Sequence, residues 1–396
     1  MAAADLGLVF SLLGSQGHSP EASLAASLCK ALYTDPRVWD ALSTSQRGPR
    51  GKTHLMYHAH TGRTERLEWL LKRRFPPNTA CKFSYPWHAA TALHFASVAG
   101  QLQCVRALLA FGACPSQGRS DGFLPLHAAA SAGHAAVVEE LLRCASGRST
   151  LDAKDENGST PLMLAAFAGQ EASACMLLSH GAGVNALRQC DGSTALILAC
   201  ASHRRGSQEG LVRALLDAGA NAGVSRRFDG LDAITAAAEM GRLEVLCMLI
   251  GRGVLQSQVE GLAEEEEGQV SGFPKTPLMA AAQRGHLQAV RALCSAGVVV
   301  NARQSGSLKT ALHLAAERGH CEVVRELVGA WGGSLELRSR EGWTALFFAA
   351  RLGQAAALKL LMELGADTSA LDNDNDSARD IAASHGHRDV VRLLSG

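Results

Sequence analysis

Apolar positions along most of this chain follow a helical spacing in short bursts, each broken by a small or polar residue. Between Thr310 and Val328, Leu312, Ala315 and Ala316 fall at i, i+3 and i+4, so they share one narrow helical face. Thr310 is suited to an N-cap, where its hydroxyl accepts an early helical N–H. Gly319 is suited to the left-handed position just past a helix end. Val323, Val324, Leu327 and Val328 then supply the apolar face of a second helix. The pattern predicts two short helices joined by a tight turn, with a polar loop leading to the next pair.

The same register returns along the chain. Thr53-His54-Leu55-Met56, Thr91-Ala92-Leu93-His94, Leu124-Pro125-Leu126-His127, Thr160-Pro161-Leu162-Met163 and Thr194-Ala195-Leu196-Ile197 are followed by Asp232-Ala233-Ile234-Thr235, Thr276-Pro277-Leu278-Met279, Thr310-Ala311-Leu312-His313, Thr344-Ala345-Leu346-Phe347 and Ser377-Ala378-Arg379-Asp380. Their spacings are 38, 33, 36, 34, 38, 44, 34, 34 and 33 residues. Pro125, Pro161 and Pro277 occupy the first helical position, where a missing N–H is harmless. Turn pairs such as Asp121-Gly122, Asn157-Gly158, Asp191-Gly192, Asp229-Gly230 and Glu341-Gly342 precede the helices. Alanine pairs (Ala129-Ala130, Ala165-Ala166, Ala281-Ala282, Ala315-Ala316, Ala349-Ala350) keep the first helix of each unit thin, so that neighbours can stack closely. One such unit cannot cover its own apolar stripe, whereas a stack of them can. These segments resemble ankyrin repeats, most closely in Thr310–His320 and in Ser207–Asn221. The resemblance implies an all-α ankyrin-repeat solenoid of helix-turn-helix units with hairpin loops over residues 51–396, preceded by a short helical region, 1–50. It also implies a protein-binding scaffold.

Departures from the repeat are informative. Arg379 stands where Leu is expected, which suits a terminal repeat whose outer face meets water. With Gly396 directly after that unit, no C-terminal box of the kind that recruits ubiquitin ligases is expected. Insertions fall at 73–90, which carries Phe75, Phe83, Tyr85 and Trp87, at 203–209, and at 253–274, which holds Glu264–Glu267. The aromatic loop is read as packing on the scaffold, the acidic one as mobile.

Residues 1–50 lie outside the repeat. One reading is a helical cap anchored by Trp39. The other is that the segment resembles an F-box: Val9-Phe10-Ser11-Leu12-Leu13, Leu28-Cys29-Lys30 and Asp35-Pro36-Arg37-Val38-Trp39 are similar to that family's landmarks, although its opening Leu-Pro is missing and the spacings differ. That resemblance implies docking of a Skp-type adaptor through Val9, Phe10, Leu13, Leu28, Cys29 and Trp39, with the repeats holding the substrate of a cullin ubiquitin ligase.

Composition narrows the class. Apolar residues make up 47% of the 396, enough to fold. Lys and Arg number 38 against 37 Asp and Glu, too balanced for a dedicated nucleic-acid binder. Eleven Cys without a C-x-x-C pair, several in apolar helical patterns (Cys104, Cys175, Cys200, Cys247), suggest free thiols in a reducing, intracellular compartment, cytoplasmic or nuclear. The first residues lack the basic lead of a signal peptide, and no apolar run reaches membrane-spanning length. A monomer is expected.

Candidate chemistry is thin. Gly51-Lys52-Thr53 ends like a phosphate loop, but Gln46 occupies the position that needs Gly. His54, His58 and His60 have i, i+4 spacing yet no nearby Cys or acid to complete a metal site. His94, His127 and His313 recur in register, as do His134, His286 and His320 after glycines, which points to structural roles. No catalytic constellation, cofactor or metal is expected. Recognition is left to the positions with fewest folding duties: the residue before the capping Thr and the pair before the helix-ending Gly. These are Val98, Phe123, Phe167, Leu231 and Met240 in the first part of the chain, then Lys275, Arg284, Lys309, Arg318, Trp343 and Arg351. The last set predicts a ladder of Arg284, Arg318 and Arg351 that grips an acidic segment of a partner protein, with Glu264–Glu267 as an intramolecular alternative.

Overall fold

The computed structural model describes residues 53–81, 88–203, 208–254 and 275–395. Among the described residues the regular structure is helical, with two isolated bridges, Ser225–Asp232 and Leu371–Ser377, and no named strand. The chain forms two compact units, Met1–Ala165 with Ala172–Ala182, and Ala166–Glu171 with Gly183–Gly396. In the first unit the helix pairs are α1 (His54–Thr61) with α2 (Thr64–Lys72), α3 (Ala92–Val98) with α4 (Leu102–Ala110), and α5 (Pro125–Ala132) with α6 (Ala135–Arg143). A short extra helix, α7 (Ala145–Arg148), follows. The division between the units falls within α8 (Pro161–Ala168) and α9 (Glu171–Ser179). The second unit continues with α10 (Ala195–Ala201) and α11 (Glu209–Asp217), α12 (Ala233–Glu239) and α13 (Leu243–Gly251), and α14 (Pro277–Arg284) and α15 (Leu287–Ser295). It ends with α16 (Ala311–Arg318) and α17 (Cys321–Gly329), α18 (Ala345–Arg351) and α19 (Ala355–Glu363), and α20 (Ala378–Ser384) and α21 (Arg388–Leu393).

Local chemistry sets the helix starts. Thr53, Thr194, Thr276 and Thr310 accept the backbone N–H three residues on, at 3.2–3.4 Å. Asp232 does the same for Thr235 at 2.8 Å, so the departure from Thr keeps the cap. Within each unit, first helices pack on first helices (α1 on α3, α3 on α5; α10 on α12 and onward to α20), and second helices on second helices. The alanine pairs sit at zero exposure in these seams. Leu, Val and Ala of the second helices cover the other side, as with Val323, Val324 and Leu327 on α17. Neither face is closed without a neighbour.

Two hydrogen-bond systems tie repeat to repeat. His94 Nδ1 accepts the Thr91 backbone N–H at 3.1 Å, so Nε2 carries the proton and donates to Phe123 O, on the following hairpin, at 2.9 Å. His313 bridges the Thr310 N–H and Leu337 O in the same manner, at 2.9 and 2.9 Å. The Thr in these contacts belongs to the histidine's own repeat; the neighbouring repeat supplies a carbonyl. Secondly, where a histidine follows the helix-ending glycine, as at His134, His286, His320 and His387, it reaches back one repeat. His134 Nε2 donates to Val98 O (3.1 Å), His286 to Glu239 O (3.0 Å), His320 to Gln283 O (3.0 Å) and His387 to Arg351 O (2.8 Å).

The aromatic insertion is pinned at its base by paired bonds between Cys81 and Ala90 and between Ala89 and Cys81, at 2.7 and 3.0 Å. Phe75 is half-buried; Phe83, Tyr85 and Trp87 lie outside the described residues, as do residues 1–52 and Glu264–Glu267. Cys104 and Cys200 are buried as their apolar surroundings predict, but Cys175 and Cys247 are exposed, on the solvent side of second helices. Burial pushes the Cys200 thiol up to about 12, where it stays protonated and inert. No helix among the described residues is long and apolar enough to cross a membrane.

Candidate functional site

The positions singled out for recognition all lie at first-helix ends or hairpins, but they are not equivalent. In the first unit, Val98 is half-buried and its carbonyl is taken by His134. Phe123 is also half-buried, with the Arg119 guanidinium 4.4 Å over its ring and His127 beside it at 5.3 Å. Both are committed to packing. Phe167 is 53% exposed, the most open of the apolar set. Leu231 and Met240 are half-buried in the second unit.

The basic residues resolve into two register columns. Counting back from Gly241, Gly285, Gly319 and Gly353, the position two before reads Glu239, Gln283, Glu317 and Arg351, and the position one before reads Met240, Arg284, Arg318 and Leu352. The glycines are 34 residues apart from Gly285 onward, whereas Arg318 and Arg351 differ by 33. Arg351 is therefore one position short of the expected three-arginine ladder and stands in the other column. Its guanidinium lies 5.4 Å over the Trp343 ring, which stacks on Phe347 and donates its indole N–H to Asp372 at 2.9 Å. Lys309 is half-buried, 3.2 Å from the Glu317 carboxylate and 4.4 Å over Phe348. Trp343, Arg351 and Lys309 are thus each engaged with neighbouring side chains, Arg351 through the Trp343 ring, Lys309 through Glu317 and Phe348, and Trp343 through Asp372 and Phe347.

A different set converges. Lys275, Arg284 and Arg318 line an open groove of about 460 Å³ together with Glu239, Gln283 and His320. Lys275 Nζ donates to Gln283 Oε1 at 2.7 Å, and Arg284 donates to Glu239 Oε1 at 2.6 and 3.2 Å. Arg318 is exposed and has no ion pair among the described residues. A smaller recess of about 110 Å³ adjoins it, sharing Glu239 and Lys275 and adding Asp229, Leu231, Thr235 and Ala280. Three cations thus face one groove carboxylate, while Leu231 supplies an apolar edge. Glu239, Gln283 and His320 were not among the predicted residues. The first two belong to the pair before the helix-ending glycine, in which Met240 and Arg284 were the members singled out.

His54 and His58 are buried, and burial lowers them to about 4 and about 3, so both are neutral core groups near pH 7. Among the described residues, no group of three or more His, Cys, Asp or Glu is placed to hold a metal ion. The segment carrying Val9, Phe10, Leu13, Leu28, Cys29 and Trp39 lies outside the described residues.

Comparison with known proteins agrees with the repeat geometry. The family model described as ankyrin repeats (3 copies) matches residues 1–119, 111–188, 253–337 and 332–396, and the single ankyrin repeat model matches 191–226. Among curated proteins, human neurogenic locus notch homolog protein 4 is 34% identical over 169 residues, 40% of this chain and 8% of its own length. Human ankyrin repeat and SOCS box protein 16 is 38% identical over 147 residues, 34% of this chain and 30% of its own. The mouse B-cell lymphoma 3 protein homolog is 33% identical over 187 residues, 46% and 38% respectively. The chain thus spans less than two fifths of each of these relatives. With the family model covering most of the sequence and the capped helix pairs stacked in register, this chain belongs to the ankyrin-repeat family.

Proposed function

We propose that the chain is a non-catalytic protein-interaction scaffold whose partner docks through an acidic segment onto the first-helix side of the second unit, the concave face expected of such a stack. The observation that carries this reading is the groove in which Lys275, Arg284 and Arg318 outnumber Glu239. Acidic side chains entering it exchange water for charge-assisted hydrogen bonds, and Leu231 at the adjoining recess gives an apolar neighbour a place to rest. Free thiols among the described residues support a reducing compartment, cytoplasmic or nuclear. The scaffold acts as a monomer and needs no cofactor.

The test uses a fluorescein-labelled tetraglutamate peptide with Gly-Ser flanks, titrated into the full chain at low salt. Binding is expected, and the triple variant Lys275→Glu, Arg284→Glu, Arg318→Glu should abolish it with the helical circular dichroism unchanged. Absence of binding to the unaltered chain overturns the reading. A second element rests on the F-box-like sequence of residues 1–50, which would make the scaffold a substrate receptor. Co-purification of a Skp-type adaptor with the full chain, lost on Val9→Asp and Trp39→Ala, tests it independently of the groove.

A further inference from the structure

We infer that Gln283 leaves one carboxylate position open between Lys275 and Arg318, and that a single Glu or Asp side chain of the partner's acidic segment fills it. The inference rests on the acidic-segment reading above and specifies where that segment is held. Two before the helix-ending glycine, successive repeats carry Glu239, Gln283 and Glu317. The outer two are carboxylates, and each is taken by a cation of this chain. Arg284, one before the next repeat's glycine, holds Glu239 at 2.6 Å. Lys309, eight residues before Glu317, holds it at 3.2 Å.

Gln283 stands between these two in the same column and has both kinds of cation around it. Lys275, eight residues before, reaches its amide oxygen at 2.7 Å. Arg318, one before the next glycine, bears the relation to Gln283 that Arg284 bears to Glu239, yet no carboxylate among the described residues meets it. The neutral amide therefore meets the lysine and shares the groove with the arginine, neutralising neither. Its own NH2 group is a donor. An incoming carboxylate has Arg318, the Gln283 amide and Lys275 as donors, in a groove open to solvent and large enough for a side chain. The flanking repeats supply the template: at this register, these cations bind planar carboxylates. Because Gln283 is neutral, the negative charge has to come from outside, which makes this the selective position of the groove.

The experiment places the missing charge on the protein. In the full chain, Gln283→Glu should weaken the tetraglutamate peptide by about tenfold or more, the loss expected when a charge-assisted contact is pre-empted. Gln288→Glu makes the same charge change at an exposed position on α15 and should leave affinity within about twofold. Arg318→Gln should weaken the peptide about as much as Gln283→Glu, and combining the two should add little, since both remove one contact. Urea unfolding of each variant confirms folding. If the peptide binds the unaltered chain and Gln283→Glu binds it equally well, this inference is overturned while the acidic-segment reading stands. If the peptide binds only once Glu264–Glu267 are changed to Gln, the occupant is the chain's own acidic run and the assignment to a partner falls.

Discussion

The glycine that ends each first helix answers to two constraints at once. Gly285 has φ +77°, a region that costs a side chain roughly 1 kcal/mol or more. A Cβ there would also stand 2.6 Å from the His320 ring, which is held in place by its bond to Gln283 O. The imidazole can escape only by giving up that inter-repeat contact. Gly285→Ala is therefore expected to lower stability by about 2–3 kcal/mol, adding strain to a lost hydrogen bond. The urea midpoint of the full chain is the measurement; a shift smaller than that of an exposed control such as Gly297→Ala, which has φ +85° but open space around it, would refute the packing half of the account. The glycine and the following histidine were both legible in the sequence as a recurrent pair. Their mutual contact was not, because periodicity reports which residues recur and not which atoms meet across a repeat boundary. The same limit hid the register of Arg351, where a count of 33 rather than 34 moves a side chain from one column to the next.

At the scale of the helix pair, the hairpin is held to the first helix by a neutral histidine that bridges two backbone groups. Burial lowers His94 and His313 to about 4, against weaker opposition from their carbonyl partners, and lowers His127 as well. In the unfolded chain these rings bind protons below about pH 6.5. Between there and about pH 4 the unfolded state holds more protons than the folded one, so stability rises with pH and is lost as pH falls through this window. His94 and His313 each contribute on the order of 3 kcal/mol at most. The chain itself indicates a replacement that removes the titration: in two other repeats a methionine sulfur takes the same N–H, Met56 from Thr53 and Met163 from Thr160, both at 3.4 Å. His313→Met should therefore fold, lose about 1 kcal/mol near pH 7 with its bond to Leu337 O, and show a shallower fall in stability from pH 6.5 to 4. Urea unfolding across that range checks it, and parallel pH profiles for the two proteins would count against the bridge. The helix pairs themselves were readable from capping residues and apolar spacing, because both are local. The Asp232 cap shows why a departure at the cap position need not break the element: its carboxylate does the hydroxyl's work.

Over the whole molecule, the near-cancellation of 38 basic and 37 acidic residues leaves little long-range field, so attraction for an acidic segment has to be local. What the sequence could not reveal was how that balance is distributed. Two of the five candidate cations are paired with carboxylates, Lys309 with Glu317 and Arg284 with Glu239, while among the described residues Arg318 meets no carboxylate, Lys275 meets a neutral amide and Arg351 lies over the Trp343 ring. A repeat stack makes such local differences possible, since each repeat is stabilised mainly by its neighbours and its surface positions vary without consequence for the fold. Binding and stability should then respond differently to salt. Raising sodium chloride from 50 to 300 mM shortens the screening length to below about 8 Å, so tetraglutamate affinity should fall by about three- to tenfold. The urea midpoint should move little, because the exposed pairs contribute no more than about 1 kcal/mol each and the buried Ala, Leu and Val seams are indifferent to ionic strength. Recognition through exposed apolar residues such as Phe167, at 53% exposure, would give the opposite result, with affinity holding or rising as salt is added. Fluorescence anisotropy at the two salt concentrations, read beside the unfolding curves, separates a charge-led groove from an apolar one.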